Sequence, residues 1–76
     1  MSGTTRILGI DPGSQVTGYG LIDVGQKGNT AKLVHSGEVK TSGEHTDRLR
    51  QIFEQIFQVV KEYSPDEVSV ERVFVH

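Results

Sequence analysis

Arg6-Ile7-Leu8-Gly9-Ile10-Asp11-Pro12-Gly13-Ser14 is the stretch that decides the fold of this 76-residue chain. Ile7, Leu8 and Ile10 put apolar side chains on both faces of an extended segment, the pattern of a central strand covered on each side. Asp11-Pro12-Gly13 then stops it. Proline disfavours the helical region for the residue before it, so Asp11 is expected to stay extended and project its carboxylate from the strand tip. An acid at the end of a buried strand is costly without a partner, such as a metal ion or a cation bound to phosphate. Asp before Pro-Gly is also a common turn former, because its side chain bonds nearby backbone amides. The stretch alone leaves both readings open.

Working outward, Gly18 to Val24 reads as a second strand. Tyr19, Leu21 and Asp23 share one face, and Gly20, Ile22 and Val24 the other. Gly25-Gln26-Lys27-Gly28-Asn29 is a turn, and Ala31 to Thr41 a third strand with looser alternation. Short connections between these strands predict an antiparallel meander. The period then changes. Leu49, Ile52, Phe53, Ile56, Val60 and Tyr63 recur at three- and four-residue steps, which predicts an amphipathic helix with that stripe towards the core. Thr46 or Ser42 is placed to cap its start, and Ser64-Pro65-Asp66 to end it. Val68 to Val75 is a fourth strand, returned by the helix crossover parallel to the first. The order β-β-β-α-β belongs to an α/β fold with a mixed sheet. One helix covers one face only, whereas the first strand is apolar on both, so residues 1–76 are expected to be part of a larger domain.

Composition narrows the function classes. Eight basic and ten acidic residues give a net charge of -2, and no basic stripe of the kind nucleic-acid binders carry is present. If the function involves DNA, most of the phosphate-neutralising charge must lie elsewhere. The sequence has no cysteine, which excludes disulfides and thiolate metal sites. The start lacks the features of a signal peptide, and no apolar run reaches membrane-spanning length. The chain therefore reads as cytoplasmic, with no membrane partner.

A second acid sits near the end of the fourth strand, in Ser69-Val70-Glu71-Arg72. Neighbouring parallel strands lie about 5 Å apart, which would let Asp11 and Glu71 share one hard cation. Oxygen-only ligands suit Mg²⁺ or Mn²⁺, and a pair of such ions clamps a phosphodiester for attack by water. Two acids are too few for two ions, so further carboxylates are expected from beyond residue 76. The plainer reading of Glu71 is an ion pair with Arg72. His35, His45 and His76 have no metal-ligand spacing and read as surface residues, while Ser14 and Ser36 lack a nearby base. Gly18-Tyr19-Gly20 either lets a backbone approach a phosphate or marks a bulge or close packing. Arg48, Arg50 and Lys61 read as solvated, and Phe57 as a flank of the core. Phe74, just after Glu71, either stacks on an unpaired base or packs in the core.

Arg6 to Ser14, Val16-Thr17-Gly18-Tyr19-Gly20, Asp47-Arg48-Leu49, Tyr63-Ser64-Pro65-Asp66 and Val70-Glu71-Arg72-Val73-Phe74 together resemble the N-terminal part of the RuvC family of bacterial Holliday-junction resolvases. The blocks span nearly all of the chain. The resemblance implies an RNase H-like, three-layer α/β/α endonuclease, of which residues 1–76 form the N-terminal part of a single domain, truncated before the later helices. It implies a homodimer that acts in DNA recombination and repair, cutting two opposed strands of four-way junction DNA with Mg²⁺ (or Mn²⁺) and leaving nicks that ligase can seal. It implies the RuvA-RuvB branch-migration complex as a partner. Asp11 and Glu71 would be catalytic metal ligands, and Phe74 would stack on junction DNA. The family's two further acids, its dimer helix and the basic residues after the aromatic lie outside this sequence, so residues 1–76 alone are expected to be inactive. The alternative is the nucleotide-binding half of an ASKHA-type ATPase or sugar kinase, which shares the core. Its Asp-x-Gly-Thr/Ser turn fits Asp11-Pro12-Gly13-Ser14 loosely, and the Glu71-Arg72-Val73-Phe74 block does not fit.

Overall fold

A computed structural model describes residues 3–13, 16–25 and 30–71 of the chain. Its elements are β1 (Thr4–Asp11), β2 (Val16–Gly25), β3 (Ala31–Lys40), α1 (His45–Tyr63) and β4 (Glu67–Val70). They form one mixed sheet in the order β3-β2-β1-β4. β1 pairs antiparallel with β2 and parallel with β4. This is the antiparallel meander, with β4 returned parallel to β1, that the strand spacing and the helical crossover predict. The ladder between β2 and β3 is irregular at Leu21/Ile22, where His35 and Leu33 are the successive partners and Val34 is the extra residue.

The helix ends as its sequence dictates. Ser64 adopts the left-handed conformation at φ 47 and donates its N–H to the Val60 carbonyl, and Pro65 cannot continue the turn. The start differs from the sequence expectation. The cap is Glu44, in extended conformation and without a side-chain hydrogen bond. Thr46 lies inside the helix. Ser42 is held instead by Gln51, whose Nε2 donates to the Ser42 carbonyl at 2.8 Å. Gly43, at φ 96, turns the chain into the helix, and Asp47 in the first turn faces the positive end of the helix dipole.

The core lies between α1 and one face of the sheet. Leu8 and Leu21, opposite each other on β1 and β2, pack fully buried against Val59 of the helix. Ile10, Tyr19, Val34, Ile56, Val60 and Tyr63 surround them. The helix is thus rotated from the predicted stripe. Val59 is its buried residue, while Leu49 and Phe53 are 53% and 68% exposed. The reason is the edge position of the short β4: its Val68 and Val70, on the helix-facing side, are themselves exposed, and no strand lies beyond them among the described residues. Phe57 is half exposed, stacked on Phe53 with Lys61 Nζ over its ring.

Arg6 fastens the end of β1 remote from Asp11. Its Nε and Nη2 donate to the two carboxylate oxygens of Asp23 at 2.8 and 3.0 Å, and its Nη1 donates to the Tyr63 carbonyl at 3.0 Å. Its backbone N–H donates to Asp66 Oδ2 at 2.7 Å, while the Asp66 N–H donates to the Arg6 carbonyl. One residue thereby links β1, β2, the helix end and the entry to β4. His35 is not the surface residue its sequence context suggests. It is half-buried, stacked on Tyr63 at 5.1 Å between centroids, with Tyr19 Oη 3.2 Å from its Nε2.

Candidate active site

The site is set by register. Ile7, Leu8, Gly9 and Ile10 of β1 pair with Glu67, Val68, Ser69 and Val70 of β4. The Glu71 N–H donates to the Ile10 carbonyl at 3.1 Å, extending the ladder by one residue. Asp11 and Glu71 therefore stand side by side at the tips of adjacent parallel strands, whose backbones run about 4.8 Å apart. Strand alternation puts both on the face opposite Leu8 and Val68, away from α1. On that face a recess of about 400 Å³ has Gly9, Asp11, Gly18, Gly20, Ser69 and Glu71 in its lining.

One expectation needs correcting. Asp11 is exposed, as is Glu71, so burial is not what makes Asp11 seek a partner. The cause is the neighbouring carboxylate: like charges at adjacent strand tips repel unless a cation lies between them. The donor set fits a hard divalent ion, because both groups offer only oxygen, the recess is open to water and no thiol exists to favour a softer metal. Among the described residues, no group of three or more His, Cys, Asp or Glu comes together to hold a metal. Among the described residues, the two acids at these strand tips are Asp11 and Glu71.

Other sequence candidates fall away from the recess. His35 belongs to the helix-side aromatic cluster, and His45 opens α1. Arg50 pairs with Asp47 at 3.5 Å on an exposed turn of the helix. Phe74, Arg72 and His76 lie outside the described residues. What sequence reading placed least well is the glycine-lined floor beside Asp11. Its signal was the i, i+2 spacing of Gly18 and Gly20, which puts both on one face of β2. At the far end of the sheet, the Arg6 guanidinium hydrogen-bonded to Asp23 holds that carboxyl below the usual carboxylate range, and Asp23 in turn raises Arg6.

A mixed sheet of this order, with paired acids at the tips of its two parallel strands, is the α/β arrangement of the RNase H-like nucleases. The family model described as crossover junction endodeoxyribonuclease RuvC matches residues 7–76. A protein of that name from Methylococcus capsulatus is 49% identical over 73 residues, covering 95% of this chain and 42% of the relative. Its counterpart from Shewanella sp. strain MR-4 is 47% identical over 70 residues, covering 91% of this chain and 39% of the relative. Among solved structures, T. thermophilus RuvC in complex with a Holliday junction substrate superposes with a TM-score of 0.79 at 30% identity, over 95% of this chain and 45% of that one. The chain belongs to the RuvC family, and it spans about two fifths of the length of the curated relatives it matches. The ATPase or sugar-kinase alternative finds no support in these likenesses. No helix among the described residues is long and apolar enough to cross a membrane.

Proposed function

We propose that residues 1–76 form the N-terminal part of a single nuclease domain and carry half of the metal site of a crossover junction endodeoxyribonuclease. The observation that carries this reading is the placement of Asp11 and Glu71 in one register row, on one open face, at adjacent strand tips. The substrate is four-way junction DNA, and the reaction is hydrolysis of phosphodiesters in opposed strands during recombination and repair. The family name and the junction bound to the T. thermophilus relative support both.

In this reading Asp11 and Glu71 hold Mg²⁺ or Mn²⁺. When bound, such an ion supplies Lewis-acid polarisation of the phosphodiester and lowers the pKa of attacking water. The chain's own contributions are separate. Asp11 and Glu71 offer an oxygen pair whose mutual repulsion favours cation uptake, and without a cation the same charge turns a phosphate away. The β1–β4 ladder fixes their spacing. The open face leaves the pair accessible from outside the sheet, and Phe74, three residues after Glu71, stacks on an unpaired base of the junction. A homodimer would present two such sites to opposed strands, and the RuvA-RuvB branch-migration complex is the partner that delivers the junction.

The test is cleavage of a synthetic four-way junction by the protein as produced from its gene. In Mg²⁺, Asp11→Asn and Glu71→Gln are each expected to cut at least about 100-fold more slowly, the scale of losing one electrostatic group at a reacting centre. Junction binding should change only slightly. Normal cleavage by either variant would overturn the assignment.

A further inference from the structure

We propose that Gly18 is a clearance position: it lacks a side chain so that the sugar-phosphate strand being cut can lie against the β2 backbone beside Asp11, with Gly20 extending the same floor. This rests on the endonuclease reading above and adds to it a residue that contributes by leaving room. Gly18 is the register partner of Asp11, and Gly20 that of Gly9. Alternation puts both glycines on the open face with Asp11 and Glu71, and all of these residues line the recess.

A glycine within a strand loses side-chain packing and weakens the strand, so it calls for a reason. Among the described residues, three ordinary reasons fail at these positions. The first is a left-handed backbone, but among the described glycines positive φ occurs at Gly43. The second is a bulge, but the irregularity of the β2–β3 ladder lies at Leu21/Ile22. The third is close packing, but a Cβ built on Gly18 or Gly20 meets nothing within 4 Å. Gly37, across the ladder from Tyr19, shows the contrast. A Cβ there would come 2.5 Å from Tyr19 Oη and 2.8 Å from the ring, so that glycine, which also borders the recess, makes room for the protein's own Tyr19. Among the described residues, nothing occupies the space above Gly18 and Gly20.

The surroundings identify the occupant. A side chain at Gly18 would stand about 5 Å from the Asp11 Cβ, the distance of directly opposed residues, inside the space that a cation on Asp11 and its bound phosphate need. The recess, at about 400 Å³, falls in the range of about 300–1,000 Å³ typical of ligand sites. Both carboxylates form part of its wall. A polypeptide segment that filled the recess at Gly18 would take the room that the phosphodiester needs beside Asp11 and Glu71, whereas one that only bordered the two acids would leave that room free. Among the described residues no Lys or Arg lines the recess, so within them a cation held by the two acids is what offsets the charge of a polyanion.

Gly18→Ala, Gly18→Val and Gly37→Ala, made in the protein as produced from its gene, separate the possibilities. Melting temperature, four-way junction affinity and the cleavage rate in Mg²⁺ are measured beside wild type and Asp11→Asn. The Gly18 variants are expected to keep or raise the melting temperature. Their cleavage should fall about tenfold for Ala and about 100-fold for Val, as small displacements at a reacting centre do. Gly37→Ala is expected to lower the melting temperature. Unchanged cleavage in Gly18→Val would overturn the proposal, because the space would then be unused. A fall in melting temperature in both Gly18 variants would also overturn it, because the occupant would be a segment of the protein. Wild-type cleavage by Asp11→Asn would instead bring down the underlying metal-site reading, whatever the Gly18 variants do.

Discussion

Leu8→Ala tests how β1 is anchored, and with it the position of Asp11 three residues further along the strand. Leu8 is fully buried, as is Leu21 opposite it, and both pack on Val59 of α1. Truncation to Ala removes three buried carbons, or about 2.4 kcal/mol of transfer free energy at roughly 0.8 kcal/mol per carbon. The cavity left behind adds to this, but the nearby half-exposed helix face gives the site room to collapse, so the total is expected near the middle of the 2–5 kcal/mol range, at about 3 kcal/mol. A chain of this size has a total stability of roughly 4–11 kcal/mol, so the loss is a large share. Leu8→Met keeps the volume and should cost less than about 1.5 kcal/mol. Urea unfolding followed by far-ultraviolet circular dichroism reads both, with an unchanged m-value required for the comparison. A cost below about 1 kcal/mol for Leu8→Ala, or equal costs for the two variants, would refute the claim that this contact pins the central strand to the helix.

Asp23 is hydrogen-bonded to Arg6 and titrates below the usual carboxylate range. A carboxyl with a depressed folded pKa adds stability that is present above the unfolded pKa of about 3.9 and disappears as pH falls through the lower folded value. Asp23→Asn should therefore lower the urea midpoint at pH 7 and show a shallower acid limb than wild type below pH 4; parallel limbs would refute the coupling. Asp11→Asn and Glu71→Gln should keep or raise the melting temperature in the absence of divalent cations, because each relieves repulsion between exposed acids. A marked fall would mean that the carboxylates hold the fold together instead.

The architecture was legible because each element repeats its signal. Ile7, Leu8 and Ile10 mark a strand apolar on both sides, the stripe from Leu49 to Tyr63 marks a helix, and a helical crossover leaves little choice but a parallel return of β4. The site was legible for the same reason. Once β1 and β4 are parallel, the positions of Asp11 and Glu71 at their ends follow from strand geometry. The helix rotation was not legible, since periodicity locates an apolar face but not which part of it finds a partner. Val59 meets Leu8 and Leu21, while Leu49 and Phe53 stay exposed. The Arg6 fastening left no local trace, because its partners are 17 residues away at Asp23 and 57 away at Tyr63. His35 looked like a surface histidine because both aromatic rings that enclose it come from other elements. The exposure of Asp11 also escaped the sequence, because apolar neighbours along one strand do not reveal whether its tip is covered.

The central claim is that Asp11 and Glu71 together make a cation site. Its most direct test is Mn²⁺ titration of the protein as produced from its gene, followed by electron paramagnetic resonance, for wild type, Asp11→Asn and Glu71→Gln. The account predicts saturable binding to wild type, weakened at least about tenfold in each variant, the usual cost of losing a supporting metal contact. The same affinity in all three proteins would contradict it.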